Sequence, residues 1–320
     1  MSETAALPRD KTFRAFSEEQ GVSYAEHRRD YHPKFYQLVL DHHTSQGGQL
    51  ETILDVGCGP GFAVRALGPR FTNAIGIDPS EGMLRTARSL GGESGNGDPI
   101  RFEIGTAESL GSDLSPPIRD GSVDLIVAAT ASHWFNMSEF WARAAQVLKP
   151  NGTVALWTSG RITISPSVPN AQAVQAALDG LDQRLDDYMV PGNRLARDLY
   201  RSMPLPWTLS EPIPEFDEAS FVRKEWGTDS PGSAPGDEYY YYSLPQPKIS
   251  LDMIEKIFGT SSPVIRWREA HAEAVGTEND IVRQTRREIE RAVHAGGMEK
   301  GKELLEGSVS AVLLMVKKRV

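Results

Sequence analysis

Ile53-Leu54-Asp55-Val56-Gly57-Cys58-Gly59-Pro60-Gly61 is the stretch around which the chain is organised. A short apolar run ends in an acidic residue and then in alternating glycines, which reads as a buried strand feeding a tight turn. Glycines there let backbone approach a ligand closely, with the N–H groups of the following helix facing it. The order is G-x-G-x-G, because Phe62 stands where the G-x-G-x-x-G of dinucleotide-binding turns has its third glycine. Asp55, at the strand end, suits a ligand carrying a cationic ammonium group better than a pyrophosphate.

Four more strands follow in the sequence. Ala74-Ile75-Gly76-Ile77-Asp78-Pro79-Ser80 reads as the second, with Asp78 roughly twenty residues past the glycines, where ribose hydroxyls are held in folds of this kind. A carboxylate can accept both ribose hydrogen bonds at once. Phe102-Glu103-Ile104-Gly105-Thr106-Ala107-Glu108 reads as the third strand and its loop, residues 122–130 as the fourth, and residues 152–157 as the fifth. Together these pieces resemble, in order and spacing, the class I S-adenosylmethionine-dependent methyltransferases, whose motif I is similar to residues 53–61. The resemblance implies a doubly wound, mostly parallel, seven-stranded Rossmann-like α/β sheet with S-adenosyl-L-methionine as cofactor and S-adenosyl-L-homocysteine as product. It places Asp55, Gly57, Gly59, Gly61, Asp78, Pro79, Ala107, Glu108 and Thr130 at the cofactor. The carboxyl part around Val264-Ile265-Arg266-Trp267-Arg268-Glu269 resembles the fungal trans-aconitate-methyltransferase-like proteins.

Composition sets the outer bounds. The chain has 320 residues, 39% hydrophobic and 24% charged, which is ordinary for a soluble globular protein. A formal net charge of −9 argues against a nucleic-acid partner held by phosphate neutralisation. One cysteine, Cys58, excludes an intramolecular disulfide and any multi-cysteine zinc site, and its place in the glycine turn suggests a packing role. The histidines show no spacing that suggests a metal. No segment resembles a signal peptide or a bilayer span, so the expected location is the cytoplasm and no membrane partner is expected.

The remaining chain divides into four expected parts. Residues 1–50 form a helical segment closing over the cofactor. Small-molecule methyltransferases often carry a similar Tyr…Arg-x-x-Tyr-x-Pro segment, here Tyr24, Arg28, Tyr31 and Pro33. It puts Tyr24 and Arg28 at the cofactor's methionyl end or, read plainly, makes them a packing aromatic and a surface arginine. Residues 51–158 are the cofactor core. Residues 159–215, with a helical stretch over 170–188 and then four prolines, read as an inserted helical cap. Residues 216–320 complete the sheet, with 221–226 and 309–316 as an antiparallel pair, and supply helices that complete the substrate pocket. Within this part, 250–258 reads as a capped helix and 278–295 as a helix whose charges form a solvated face. The tyrosines at 239–242 read as a half-buried strand. His42 and His43 end a helix, where a positive or polar side chain suits the dipole.

The candidate chemistry lies in Ala131-Ser132-His133-Trp134-Phe135, just past the fourth strand. Methyl transfer from a sulfonium is an in-line displacement, so positioning matters more than acid-base help. An imidazole and an indole N–H can both hold a carboxylate oxygen. A carboxylate near its ordinary pKa is already ionised at pH 7 and needs no base, whereas a hydroxyl would need one, with His133 nearest. Either His133 and Trp134 serve a small-molecule substrate in one of these ways, or they pack under the cap. The expected function is methyl transfer to an oxygen nucleophile, carboxylate or hydroxyl, of an organic acid or secondary metabolite. The alternatives are a relative that binds the cofactor without methylating, and a nicotinamide oxidoreductase, which Phe62 disfavours. The sequence sets neither the acceptor nor an oligomeric state.

Overall fold

The computed structural model describes residues 16–227 and 248–320. The tyrosine run at 239–242 lies outside them. Two helices lead in: α1 (Glu18–His27), started by a Ser17–Gln20 capping box, and α2 (Pro33–Ser45), with proline at its first position. The alternation then runs β1 (Thr52–Val56), α3 (Phe62–Leu67), β2 (Asn73–Asp78), α4 (Glu81–Leu90), β3 (Arg101–Ile104), β4 (Val123–Ala129), α5 (Met137–Val147) and β5 (Leu148–Ile164). After β5 come α6 (Ala171–Arg184), α7 (Pro191–Arg197), β6 (Phe216–Trp226), β7 (Lys248–Ser250), α8 (Leu251–Gly259), α9 (Ser262–Ala270), α10 (Ile281–Ala295) and β8 (Leu304–Lys318). Serine caps behave as their sequence suggests: Ser80 accepts from Met83 N and Ser250 from Met253 N, each at 3.3 Å.

The strands lie in the order β3-β2-β1-β4-β5-β8-β6. β1 to β5 are parallel, while β8 runs antiparallel between β5 and β6. Among the described residues the sheet has eight strands rather than seven. β8 is long enough for its first residues, Leu304 to Glu306, to pair with the short β7 after its later residues have filled the slot between β5 and β6. Period-two alternation then sorts side chains to two cores. Ile53, Leu125, Val127, Ala155 and Trp157 face α2, α3 and α4, whereas Leu54, Val56, Ile126, Ala128 and Leu156 face α5. Because helices cover both faces, β4 is buried along nearly its whole length and its sequence is a continuous apolar run.

The helical cap draws on two separated stretches. Val174 and Leu178 of α6 pack with Leu251 and Ile254 of α8 and with Ile289 and Val293 of α10. Leu181 and Leu185 meet Val264 of α9 and Ile281 and Val282 of α10. The charges of α10 do more than face solvent: Arg283 and Arg286 pair with Glu255 of α8, and Glu288 with Arg184 of α6. The passage after α7 turns back under the sheet, where Leu205, Trp207 and Ile213 pack on the α5-side core.

His43 departs from the dipole-capping expectation. It is fully buried, with Nδ1 against Thr153 Oγ1 and Nε2 against Gln49 O, both at 2.8 Å. Burial pulls its pKa down to about 4, so it is a neutral wedge and carries no charge to the helix end.

Candidate functional site

The strand order reverses between β1 and β4, and the site forms at the carboxyl ends there. Gly57 N and Cys58 N both donate to Ile77 O, at 2.8 and 3.1 Å, which ties the glycine loop to β2. Asp78 completes the tie: Oδ2 accepts from Gly59 N at 2.9 Å and Oδ1 from Ser80 N at 2.8 Å. Gly57 and Gly59 both have positive φ, +65° and +53°. A Cβ on Gly57 would lie 2.6 Å from Ala131 Cβ, so this glycine lets the loops after β1 and β4 touch. A Cβ on Gly59 would meet nothing within 4 Å, because it would project into open space.

Asp55 lies beneath the loop rather than on its surface. It is fully buried and accepts from Val64 N at 3.1 Å, which anchors the start of α3, while Oδ1 has no hydrogen-bond partner. Burial, reinforced by Asp78 nearby, raises its carboxyl to about 7 against the opposing hydrogen bond from Val64. Neither Asp55 nor Gly61 lines the cavity described next; Gly61 sits under the Phe102 ring at the start of α3.

A cavity of about 400 Å³ runs from the glycine loop to the cap. Gly57, Gly59, Asp78, Pro79, Ala107, Glu108 and Thr130 line one end, and α1 brings Tyr24 and Arg28 to it. Two polar atoms at this end are buried without a partner: Glu108 Oε2, whose sister oxygen takes Asn136 N at 3.1 Å, and Arg28 Nε, beside a guanidinium 5.0 Å from the Tyr24 ring centre. Buried groups of this kind ordinarily find a partner, so an orphan acceptor and an orphan donor in one cavity are features of a ligand site. Thr130, a β-branched residue at φ +54°, shares a 3.0 Å hydrogen bond with the Tyr31 hydroxyl. Left-handed backbone at such a residue is strained and is held only when its surroundings over-determine it. Cys58 lines the cavity too, but burial pushes its thiol well up, which leaves an inert packing group.

At mid-cavity stand His133 and Trp134, in a single 3-10 turn, with ring centres 4.6 Å apart. Trp134 also packs: a Cβ at Gly192 of α7 would come within 2.8 Å of its ring. His133 Nδ1 lies 2.9 Å from the hydroxyl of Tyr200, which is 1% exposed. Sequence reading missed Tyr200, since nothing in Asp198-Leu199-Tyr200-Arg201 marks an extra turn beyond α7. The structure does mark one, because Leu199 and Tyr200 are consecutive non-glycine residues at φ +53° and +57°. Arg223 of β6 donates to both their carbonyl oxygens, at 2.6 and 3.4 Å, and Glu225 holds Arg223 at 2.5 Å.

The cap end is built from α6 and α7, within the expected insert, and from α9, among the helices expected to complete the pocket. Leu178, Leu185, Met189 and Val264 give it apolar walls. An ion pair of Asp182 with Arg197 and the exposed Arg161 supply charge. Burial raises the Asp182 carboxyl against the pull of Arg197 and Arg161. Elsewhere, the helical i, i+4 pair Glu290 and His294 comes together with Glu303, a grouping the histidine spacing did not suggest. His294 Nε2 and Glu303 Oε1 already bond each other at 2.7 Å, and Gly301 N also donates to that oxygen.

Residues 54–156 match a family described as a methyltransferase domain. A Saccharomyces cerevisiae protein classed as an S-adenosylmethionine-dependent methyltransferase, CRG1, is 36% identical over 110 residues, covering 34% of this chain and 36% of that one. Methyltransferase cfoB of Aspergillus candidus is 30% identical over 154 residues, covering 48% of this chain and 46% of that one. The chain therefore spans under half the length of these relatives. A solved structure from Anaeromyxobacter dehalogenans, assigned as a type II methyltransferase, superposes with a TM-score of 0.58 over 91% of this chain and 97% of the other at 21% identity, a likeness of fold. Residues 54–156 thus carry the matched methyltransferase domain, set within the mostly parallel Rossmann-like sheet that the class I S-adenosylmethionine-dependent methyltransferases share.

Proposed function

We propose that the chain transfers a methyl group from S-adenosylmethionine to an oxygen nucleophile, carboxylate or hydroxyl, of a small organic acid or secondary metabolite. The observation that carries this reading is the continuous cavity, with orphan polar atoms at the sheet end, His133 and Trp134 in the middle and apolar walls under the cap. The residues fit the cofactor. Gly59 leaves room where a side chain would stand, Asp78 retains lone pairs for ribose hydroxyls, and Glu108 Oε2 can accept from the adenine amino group. Arg28, with Tyr24 beneath it, suits the methionyl carboxylate. When bound, the cofactor supplies an electrophilic methyl on a sulfonium. The chain's own part is to orient the acceptor from the cap side, exclude water and hold the acceptor's oxygens through His133 and Trp134.

The narrower likeness to trans-aconitate methyltransferases belongs to the proposal, as do the cytoplasmic location and the small-molecule partner. No helix among the described residues is long and apolar enough to cross a membrane. The test pairs calorimetry with S-adenosylhomocysteine and NAD against a screen of acids, phenols and amines with labelled methyl donor. We expect S-adenosylhomocysteine alone to bind and label to reach an oxygen acceptor. Binding of NAD instead, or label confined to amines, would overturn the reading.

A further inference from the structure

We propose that Tyr200 is a positioning residue that fixes His133 as a hydrogen-bond donor toward the cavity, so that the methyl acceptor is a carboxylate arriving already ionised rather than a neutral hydroxyl. The substrate half of this rests on the methyltransferase reading; the tautomer half stands on its own.

The groups around the Tyr200 oxygen decide the tautomer. A phenol oxygen has one proton to give and two lone pairs to receive with. The main-chain N–H of His133 and the hydroxyls of Ser132 and Thr158 all lie beside the fully buried Tyr200 oxygen. The Ser132 hydroxyl is aligned with no acceptor and Thr158 has only a long 3.5 Å bond to Ser159 O, so both have hydrogens that the phenol can attract. If Nδ1 of His133 were protonated as well, it would be a further donor aimed at two lone pairs, and the phenol's own proton would have to turn toward a hydroxyl. If the phenol donates to Nδ1 across the observed 2.9 Å, the most acidic neutral donor meets the most basic acceptor and both phenol lone pairs stay open to the donors beside it. The imidazole proton then resides on Nε2, the nitrogen away from Tyr200 on a ring that lines the cavity.

Two features show that this placement is built into the fold. Tyr200 is reached through two consecutive left-handed residues, an arrangement that persists only when it is held. It is held by Arg223 on both carbonyls, from a strand remote from the glycine loop in the sheet. Burial also pushes the phenol pKa up, which keeps it a donor across the physiological range.

An imidazole protonated at Nε2 cannot take a proton from a substrate hydroxyl there, but it can hold one oxygen of a carboxylate while the other faces the methyl. In that reaction a carboxylate lone pair forms the O–CH3 bond as the S–CH3 bond breaks with its electrons to sulfur. An ester and a thioether result, and no proton is transferred. A neutral alcohol would need a base, which Tyr200 denies at this position.

The test is long-range proton–nitrogen NMR on protein labelled with 15N-histidine, with the His133 signals assigned by their loss in His133→Gln. We expect the wild type to show the Nε2–H tautomer, and Tyr200→Phe to shift His133 toward Nδ1–H while S-adenosylhomocysteine affinity stays unchanged. An Nδ1–H tautomer in the wild type, which needs no variant to observe, would overturn the proposal. So would an unchanged tautomer in a folded Tyr200→Phe protein. In the companion screen, methyl esters should form from carboxylic acids and no ethers from matched alcohols and phenols; ethers alone would overturn the substrate half. Failure to bind S-adenosylhomocysteine would instead strike the methyltransferase reading and leave the tautomer result intact.

Discussion

Gly57 and Gly59 have similar backbone angles, but their neighbourhoods give them different work. At Gly57 a side chain would strike Ala131, whereas at Gly59 it would stand in the cavity. Gly59→Ala should therefore cut affinity for S-adenosylhomocysteine about tenfold or more, a loss of at least about 1.4 kcal/mol, by occupying ligand space. The left-handed φ should cost roughly 1 kcal/mol of stability as well. Calorimetry finding full affinity would place the ligand elsewhere. Asp55 yields a second prediction, with a definite sign. Its carboxyl is raised to about 7 by burial, so the stability tied to its neutral form is present below the ordinary Asp range and is lost as pH rises through about 7. Asp55→Asn should flatten this decline between roughly pH 4 and 7 in urea-midpoint measurements. An unchanged pH slope would show that Asp55 is ionised in the fold. His43 acts in the opposite sense, because its lowered pKa gives stability that is present above about 6.5 and lost as pH falls toward about 4. At this scale the sequence marks residue types at strand ends, since Asp78, Glu108 and His133 follow their strands directly. Tyr200 and Arg28 Nε depend on how distant segments meet, and no local pattern encodes that.

Among the elements, α1 is the one whose docking can be separated from the sheet. It lies on α4 at a glycine-to-glycine contact: a Cβ on Gly21 would sit 2.7 Å from Gly82 O, and one on Gly82 only 2.1 Å from Phe16 O. The exposed Glu18–Arg85 pair at 3.5 Å, of the class of ion pair worth about 0–1 kcal/mol, adds little to this contact. Gly82→Ala improves the intrinsic helix propensity of α4 by about 0.8–1 kcal/mol yet denies α1 its seat. We expect the variant to keep its thermal midpoint within a few degrees while S-adenosylhomocysteine affinity falls, because Tyr24 and Arg28 ride on α1. Full affinity would mean that α1 docks by other contacts or adds nothing to binding. The core strands were legible because each is a short apolar run closed by a turn residue. The helix over 170–188 was legible from its spacing, and the pairing of 221–226 with 309–316 followed from the fold's closing strands. β7 was not, since three residues carry no periodicity and pair only because β8 overruns the sheet.

For the molecule as a whole, the cap was the part that sequence left incomplete. An amphipathic pattern says that a helix has an apolar face but does not name the partner. α6 and α10 are far apart in sequence, yet Ile289 and Val293 of α10 and Val174 of α6 share one buried cluster that is separate from the two sheet cores. This separation predicts that the cap opens as a unit without the sheet, as locally cooperative regions do. Ile289, fully buried at the centre of that cluster, is the residue to truncate. Ile289→Ala should remove about 2–5 kcal/mol of packing, which acts first on the elements that contact it. Native-state hydrogen exchange should then show the amides of α6, α8 and α10 losing protection together, while β1 and β4, buried between two layers of helices, keep theirs. Binding of S-adenosylhomocysteine at the sheet end should survive, and capture of a cap-side substrate should weaken. Equal loss of protection in β1 and β4 would mean that cap and sheet unfold in a single step, and the cavity would then close by a motion of α1 alone.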